Sequence, residues 1–283
     1  MNRDQKPREI RLIALDLDGT LLNTEKRLSD RSCEALIRAA AAGVEIVPTT
    51  GRFFDGIPEA VRTLPFLRYA ITINGAAVFD VRRGENLTKA ELPLERALEI
   101  MEAVEGLPVL VDCYQDNAGW MSRSMWERVA DFVALPYARK LVRETRRPVP
   151  DLKAMLLARG RSVQKLQLIV KDLDLRERLL RDLPERFPHL SVTSSWENNV
   201  EINDAEAHKG RALLRLAERL GLRPDQTMAF GDGLNDVTML RAAGLGVAMG
   251  NACPEALAAA NTVTADCDHD GVAAGIARFV FGE

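Results

Sequence analysis

A chain of 283 residues has room for two domains of about 150 residues each. Its 47% hydrophobic and 28% charged residues, with a formal charge of only −3, exclude a disordered chain and the strongly basic surface of a nucleic-acid binder. No apolar run approaches the ~20 residues of a membrane span. The polar opening Met1–Glu9 lacks the apolar stretch of a signal peptide, so a soluble, cytoplasmic protein with no membrane or nucleic-acid partner is expected.

The chain opens its core with Ile10 to Leu15, a short apolar run that stops abruptly at Asp16-Leu17-Asp18-Gly19-Thr20 and reads as a buried strand entering a loop. Ser29-Asp30 begins a helical pattern through Cys33, Leu36, Ile37 and Ala40 that Gly43 closes. A second strand, Val44 to Pro48, runs into Thr49-Thr50-Gly51-Arg52, and a third, Tyr69 to Ile73, meets Asn74-Gly75. Strands alternating with helices predict crossovers and a mostly parallel sheet. From about Val81 to Trp196 charge is denser and prolines recur. That stretch predicts helices over Glu95–Glu105, Ser122–Val133, Asp151–Ala158 and Asp174–Glu185, and strands over Val109–Cys113, Lys165–Val170 and Leu190–Ser194. It reads as an α+β insert, with Arg143 to Arg147 as a solvated loop. Near Asn199 the first pattern resumes: an amphipathic helix over His208–Leu220, a strand Thr227–Phe230 into Gly231-Asp232-Gly233, and a strand around Gly244–Gly250. The fold class is α/β, with a core of residues 1–82 and 198–283 and an inserted α+β domain of residues 83–197.

Reactive side chains collect where strands end: Asp16 and Asp18, Thr50, then Asp232 with Asp236. In open parallel sheets ligands bind beyond the carboxyl ends of strands, so these distant loops can share one site. Two residues apart, Asp16 and Asp18 are expected to face the same ligand. Gly19 permits a sharp turn and close backbone approach. Several acids with a hydroxyl and no histidine cluster point to a hard, oxygen-ligated cation, Mg²⁺. A dianionic phosphate ~4 Å from one carboxylate meets about 8 kcal/mol of repulsion at an effective dielectric near ~20. Uncompensated, that is on the order of six decades in rate; a divalent cation held by the same acids removes most of it and a lysine could help, with Lys209, at a helix start, the candidate. The Asp16 and Asp232 motifs are more than turn chemistry even alone, Thr49 to Arg52 and Lys209 are weak by themselves, and their joint occurrence at successive strand ends carries the signal. The cysteines Cys33, Cys113, Cys253 and Cys267 lie far apart and are expected as free thiols. His189, His208 and His269 lack metal-ligand spacing.

These residues resemble the haloacid dehalogenase-like superfamily, in its Cof-type, sugar-phosphatase-like branch. The resemblance rests on Leu15 to Leu22, Thr50-Gly51-Arg52, Asn74-Gly75-Ala76, His208-Lys209-Gly210, Phe230 to Asp236, Met249 to Ala252 and Asp270-Gly271-Val272. It implies a Rossmann-like core with a cap inserted between the threonine and lysine motifs, the cap giving substrate specificity. Asp16 would be the nucleophile that forms an aspartyl-phosphate, and Asp18 the acid and then the base. Thr50 and Lys209 would hold phosphoryl oxygens. Mg²⁺ would be held by Asp16, the main-chain carbonyl of Asp18 and Asp232, with Asp236 supporting that shell and Asn235 orienting nearby groups. Gly19, Gly51, Arg52 and Asn74 would line the phosphate and substrate site. Thr49 stands where the family commonly has alanine, Asp204 to Ala207 replace a loop that often carries proline and glycine, and Cys267 replaces a frequent asparagine. These departures bear on loop shape and substrate fit.

The leading expectation is a phosphatase of small phosphorylated metabolites. A phosphomutase or sugar-chain phosphatase of the same branch is a rival, and so is a non-catalytic phosphometabolite sensor. The sensor has no use for an acid beside the nucleophile. In the insert, Tyr114, Trp120, Trp126 and Tyr137 are expected chiefly as core. No heptad or isolated apolar stripe sets an oligomeric state.

Overall fold

The computed structural model describes residues 9–283; the polar stretch 1–8, expected to be no signal peptide, lies outside them. The first strand, β1 (Leu12–Leu15), is wholly buried. It pairs in parallel with β2 (Glu45–Pro48), Leu12 opposite Glu45. Between them α1 (Asp30–Ala41) starts at Ser29, whose side chain accepts the Ser32 amide. A short helix α2 (Glu59–Arg62) leads to β3 (Tyr69–Thr72). A parallel bridge, Thr49 to Ile71, ties β3 to the end of β2. From there β3 turns back antiparallel onto β4 (Ala77–Asp80), next to which lies β5 (Glu85–Lys89).

The chain divides into two compact units, residues up to 88 with 208–283, and residues 89–207. The junctions fall some residues beyond those expected at 82/83 and 197/198. The hairpin of β4 and β5 extends the sheet begun by β3, and the segment after Asn199, read as the core resuming, is a strand of the second unit's sheet.

That second unit contains α3 (Leu94–Ala103), β6 (Val109–Gln115), β7 (Ala118–Ser122), α4 (Arg123–Glu127), α5 (Val129–Phe132), α6 (Pro136–Thr145) and β8 (Arg146–Val149). It continues through α7 (Leu152–Arg159), β9 (Lys165–Val170), α8 (Leu173–Arg186), β10 (Leu190–Thr193) and β11 (Asn199–Asp204). Its sheet runs β10-β11-β9-β6-β7-β8, antiparallel except between β7 and β8. Val109, Val111 and Cys113 point to a face packed with Ile100, Leu156 and Leu179, and Leu110 points to the other, packed with Val129, Phe132 and Val142. One predicted helix, Ser122–Val133, is two short ones. The segment Arg143–Arg147 is no solvated loop: it joins the end of α6 to β8, and Arg146 is buried against Asp112. Tyr114 is buried and Trp120 and Trp126 pack on the apolar clusters, whereas Tyr137 stays 42% exposed.

The chain then returns to the first unit with α9 (Lys209–Arg219), β12 (Thr227–Gly231), α10 (Val237–Ala242), β13 (Leu245–Ala248), α11 (Pro254–Ala259), β14 (Thr262–Val263) and α12 (Gly271–Ile276). The main sheet runs β14-β13-β12-β1-β2 and is parallel throughout. Alternation along β1 sends Ile13 and Leu15 to one buried face and Leu12 and Ala14 to the other. This is why the strand reads as a continuous apolar run. All four cysteines are free, with Cys113 buried. No helix among the described residues is long and apolar enough to cross a membrane.

Candidate active site

Parallel pairing of β1 with β2 and β12 brings their carboxyl ends side by side, with Leu15 opposite Pro48 and Phe230. Asp16 follows β1 immediately, and its amide donates to the Phe230 carbonyl at 3.0 Å. Thr50 follows β2; its amide donates to Ile71 O at 2.9 Å, and its own carbonyl accepts the Asn74 amide at 3.0 Å. Gly51 sits between Thr50 and Arg52, and the Arg52 amide donates to Thr50 Oγ1 at 3.2 Å. Asn74 is in a left-handed conformation, φ 57°, and its Oδ1 accepts Asn235 Nδ2 at 3.2 Å. Four separate segments thus meet at one end of the sheet.

Lys209 opens α9, where the His208 ring caps the helix by accepting the Arg211 amide. Glycine at 210 lets α9 approach α10, since a Cβ there would lie 2.3 Å from Thr238 O. The Lys209 ammonium is wholly buried and donates to Asp16 Oδ1 and Asp236 Oδ1, both at 2.6 Å. The second oxygen of Asp236 accepts the amides of Asp232 and Gly233 at 3.0 and 2.9 Å, locking the turn after β12. Asp232 Oδ1 accepts Thr20 Oγ1 at 2.7 Å. Gly19 has φ 94°, and a Cβ there would stand 2.4 Å from Asp232 Oδ2, so both conformation and space require glycine.

The electrostatics follow from crowding. Burial, then Asp236, push the Asp16 carboxyl well above the usual carboxylate range, and Lys209 opposes them. Asp232 is pushed up to about 7 by burial and then Asp236. Burial works against the Lys209 charge, but Asp16 and Asp236 outweigh it and raise its pKa. Asp16, Asp232 and Asp236 can bring one oxygen each within 4.8 Å of one another. Three carboxylates against one ammonium leave two negative charges, which a divalent cation matches. The donors are all oxygens, as hard cations require, so the residues present fit Mg²⁺.

Asp18 has partners of its own. The strand ends at Leu15, so the two-residue alternation does not extend to Asp18, and its carboxylate is not part of the acidic group. It receives Arg52 Nε and a second guanidinium nitrogen, each at 2.8 Å, and Lys26 Nζ lies 3.2 Å away. Burial raises this carboxyl, but Arg52 and then Lys26 overcome burial and hold it below the usual range. Sequence reasoning assigned no role to Lys26, Thr20 or Asn251. Asn251 Nδ2 donates to Gly19 O at 2.8 Å and lies 3.4 Å from Asp232 Oδ2. The Thr20 and Asn251 motifs were visible in the sequence; Lys26 carried no signal there.

Fold and site together define a Rossmann-like enzyme that gathers oxygen ligands and a buried ammonium beyond its strand ends. Residues 13–276 match the family described as haloacid dehalogenase-like hydrolase. The chain is 34% identical over 271 residues to the pyridoxal phosphate phosphatase YbhA of Escherichia coli, covering 93% of this chain and 96% of that one. It is 31% identical over 279 residues to the 5-amino-6-(5-phospho-D-ribitylamino)uracil phosphatase YcsE of Bacillus subtilis, covering 96% of both. A solved haloacid dehalogenase-like hydrolase from B. subtilis superposes with a TM-score of 0.80 at 29% identity, over 94% of this chain and 99% of that one. The chain belongs to the haloacid dehalogenase-like hydrolase family and is a phosphatase of its Cof-type branch.

Proposed function

We propose that the protein is a Mg²⁺-dependent hydrolase of small phosphomonoesters that works through an aspartyl-phosphate. The observation that carries this reading is the buried Lys209 ammonium joined to both Asp16 and Asp236, with Asp232 beside them. An oxygen of Asp16 attacks phosphorus as the bond to the ester oxygen breaks, and Asp18 gives that oxygen its proton. Water then attacks phosphorus, Asp18 takes the water's proton, and Asp16 is regenerated as phosphate leaves. Thr50 and Lys209 hold the phosphoryl oxygens. Asp16, Asp232 and the Asp18 main-chain carbonyl would hold Mg²⁺, with Asp236 in support; when bound, the cation neutralises charge shared by the acids and the phosphate.

The Arg52 and Lys26 contacts favour the ionised form of Asp18, which is the base required in the second half-reaction. Its acid form requires those cations to take another anion, and a dianionic phosphate is one. Residues 89–207 then determine which leaving group is accepted. The two named relatives are phosphatases of pyridoxal phosphate and of 5-amino-6-(5-phospho-D-ribitylamino)uracil, so a small phosphomonoester of that size is the substrate class. Phosphate release from phosphorylated sugars, pyridoxal phosphate and flavin mononucleotide, with Mg²⁺ and with chelator, tests the reading. Release should require the metal and vanish in Asp16→Asn; metal-dependent release that survives this change overturns the nucleophile.

A further inference from the structure

The first unit holds a cavity of about 310 Å³ whose polar lining is Arg68, Arg82, Arg83, Arg219 and Asp80. It stands at the far end of elements that also carry the acidic site. Tyr69, in its wall, opens β3, and Asn74 follows that strand's other end. Arg219 closes α9, which Lys209 opens, and eleven helical residues span about 15 Å. A small ligand in this cavity is therefore separate from one held by Lys209.

The charges do not cancel. Arg68 lies 3.2 Å from Glu45. One oxygen of Asp80 is taken by the amides of Arg82 and Arg83, both at 3.0 Å, and the other is 3.9 Å from Arg83 Nε. Neither Arg82 nor Arg219 makes an ion pair among the described residues. Four guanidinium groups from three separate segments thus face two carboxylates, in a chain whose formal charge is −3. The α9 carboxyl end, which would repel an anion, is blunted: the amides of Leu220, Gly221 and Leu222 bond its last carbonyls. Guanidinium forks match phosphate oxygens in pairs. The rest of the wall is Tyr69, Leu87 and Leu220, and the volume exceeds what a bare phosphate needs.

We propose that this cavity binds a small organophosphate, its phosphate between Arg82 and Arg219 and its carbon skeleton against Tyr69, Leu87 and Leu220. The site goes beyond the hydrolytic reading and does not depend on it.

The test uses the full chain carrying Asp16→Asn, in chelator, so that nothing turns over. Binding of adenosine 5′-monophosphate is measured by titration calorimetry, with inorganic phosphate as the second probe. The nucleotide should bind here more tightly than phosphate, and the affinity should fall as salt rises, since the arginines are solvent-exposed. Adding Arg82→Ala and Arg219→Ala should weaken that binding by about 10- to 100-fold per guanidinium while the melting temperature stays put. Unchanged stoichiometry and affinity in the folded variant would overturn the site. Equal affinity for both probes would overturn the organic part of the ligand.

Discussion

The chain buries two clusters of charge, one in each unit, and they differ in balance. In the second unit Asp112 faces Arg146 at 3.0 Å and Lys165 faces Glu201 at 2.5 Å, all four at most 5% exposed. Two cations meet two anions there, on four strands of one sheet, with Gln167 adding a donor to Asp112 at 3.3 Å. At the strand ends of the first unit three acids gather near one ammonium, that of Lys209, which bonds two of them, and those acids arrive from two distant loops. Both clusters carry the desolvation cost of buried charge. Only the first is left with an excess of one sign, and this excess is what a metal and a phosphate group can use. Buried charge alone does not mark an active site; buried charge that its own neighbours leave unbalanced does.

The sharpest way to break this comparison is one substitution in each cluster. Asp16→Asn should lower phosphate release on the order of 10⁴-fold or more, because the covalent route is closed. It should not lower stability, since it removes one of the crowded negative charges. Asp112→Ala should do the reverse. Stranding the Arg146 charge in a dry interior should cost roughly 3–5 kcal/mol of stability, read from urea unfolding. Replacing both, with Asp112→Leu and Arg146→Met, should recover most of that loss. If Asp16→Asn proved strongly destabilising, or Asp112→Ala harmless, the division between functional and structural charge would collapse.

The sequence exposed the first cluster far better than the second. Asp16, Thr50, Lys209, Asp232 and Asp236 each sit at a strand end or helix start, where short glycine-bearing motifs interrupt apolar runs. The second cluster lies within strands, Asp112 and Glu201 in the middle and Lys165 at the start of β9, and a charged residue there reads as a solvent-facing position. The same blind spot hid β7 and β8, two short strands whose sequences, Ala118 to Ser122 and Arg146 to Val149, are neither clearly apolar nor alternating. Their strand state comes from pairing with β6 and with each other, a long-range effect that local pattern does not carry. Lys26 escaped for a similar reason: only the folded loop brings it to Asp18.

Metal and pH sharpen the contrast further. Asp232 is held near 7, so in chelator the native state keeps a proton on it that the unfolded chain has already lost. Stability should therefore fall as pH rises from the ordinary carboxylate range toward about 7. Mg²⁺ needs the ionised acids, so its stabilising effect should grow over the same window. Melting curves with Mg²⁺ and with chelator, at about pH 5.5 and about pH 8, should show the larger metal-induced gain at the higher pH. An equal gain at both would detach the metal from these carboxylates. The Asp112 and Glu201 cluster, already balanced, should show no such dependence on metal.

A smaller effect concerns Asp18, whose low pKa comes from Arg52 and Lys26 prevailing over burial. An acid held low in the folded state adds stability at neutral pH that is lost as pH falls through its folded pKa. Lys26→Ala removes the weaker of the two cations and leaves the paired guanidinium contact intact, so Asp18 should rise only modestly. If Asp18 serves as base in the slower half-reaction, the acid limb of the rate profile should move to higher pH by less than about one unit, with little loss at the optimum. Arg52→Lys should move that limb further, because a single ammonium cannot reproduce two parallel hydrogen bonds. A limb that stays fixed in both variants, with the rate at the optimum lowered, would assign these cations to substrate binding instead of to the proton on Asp18.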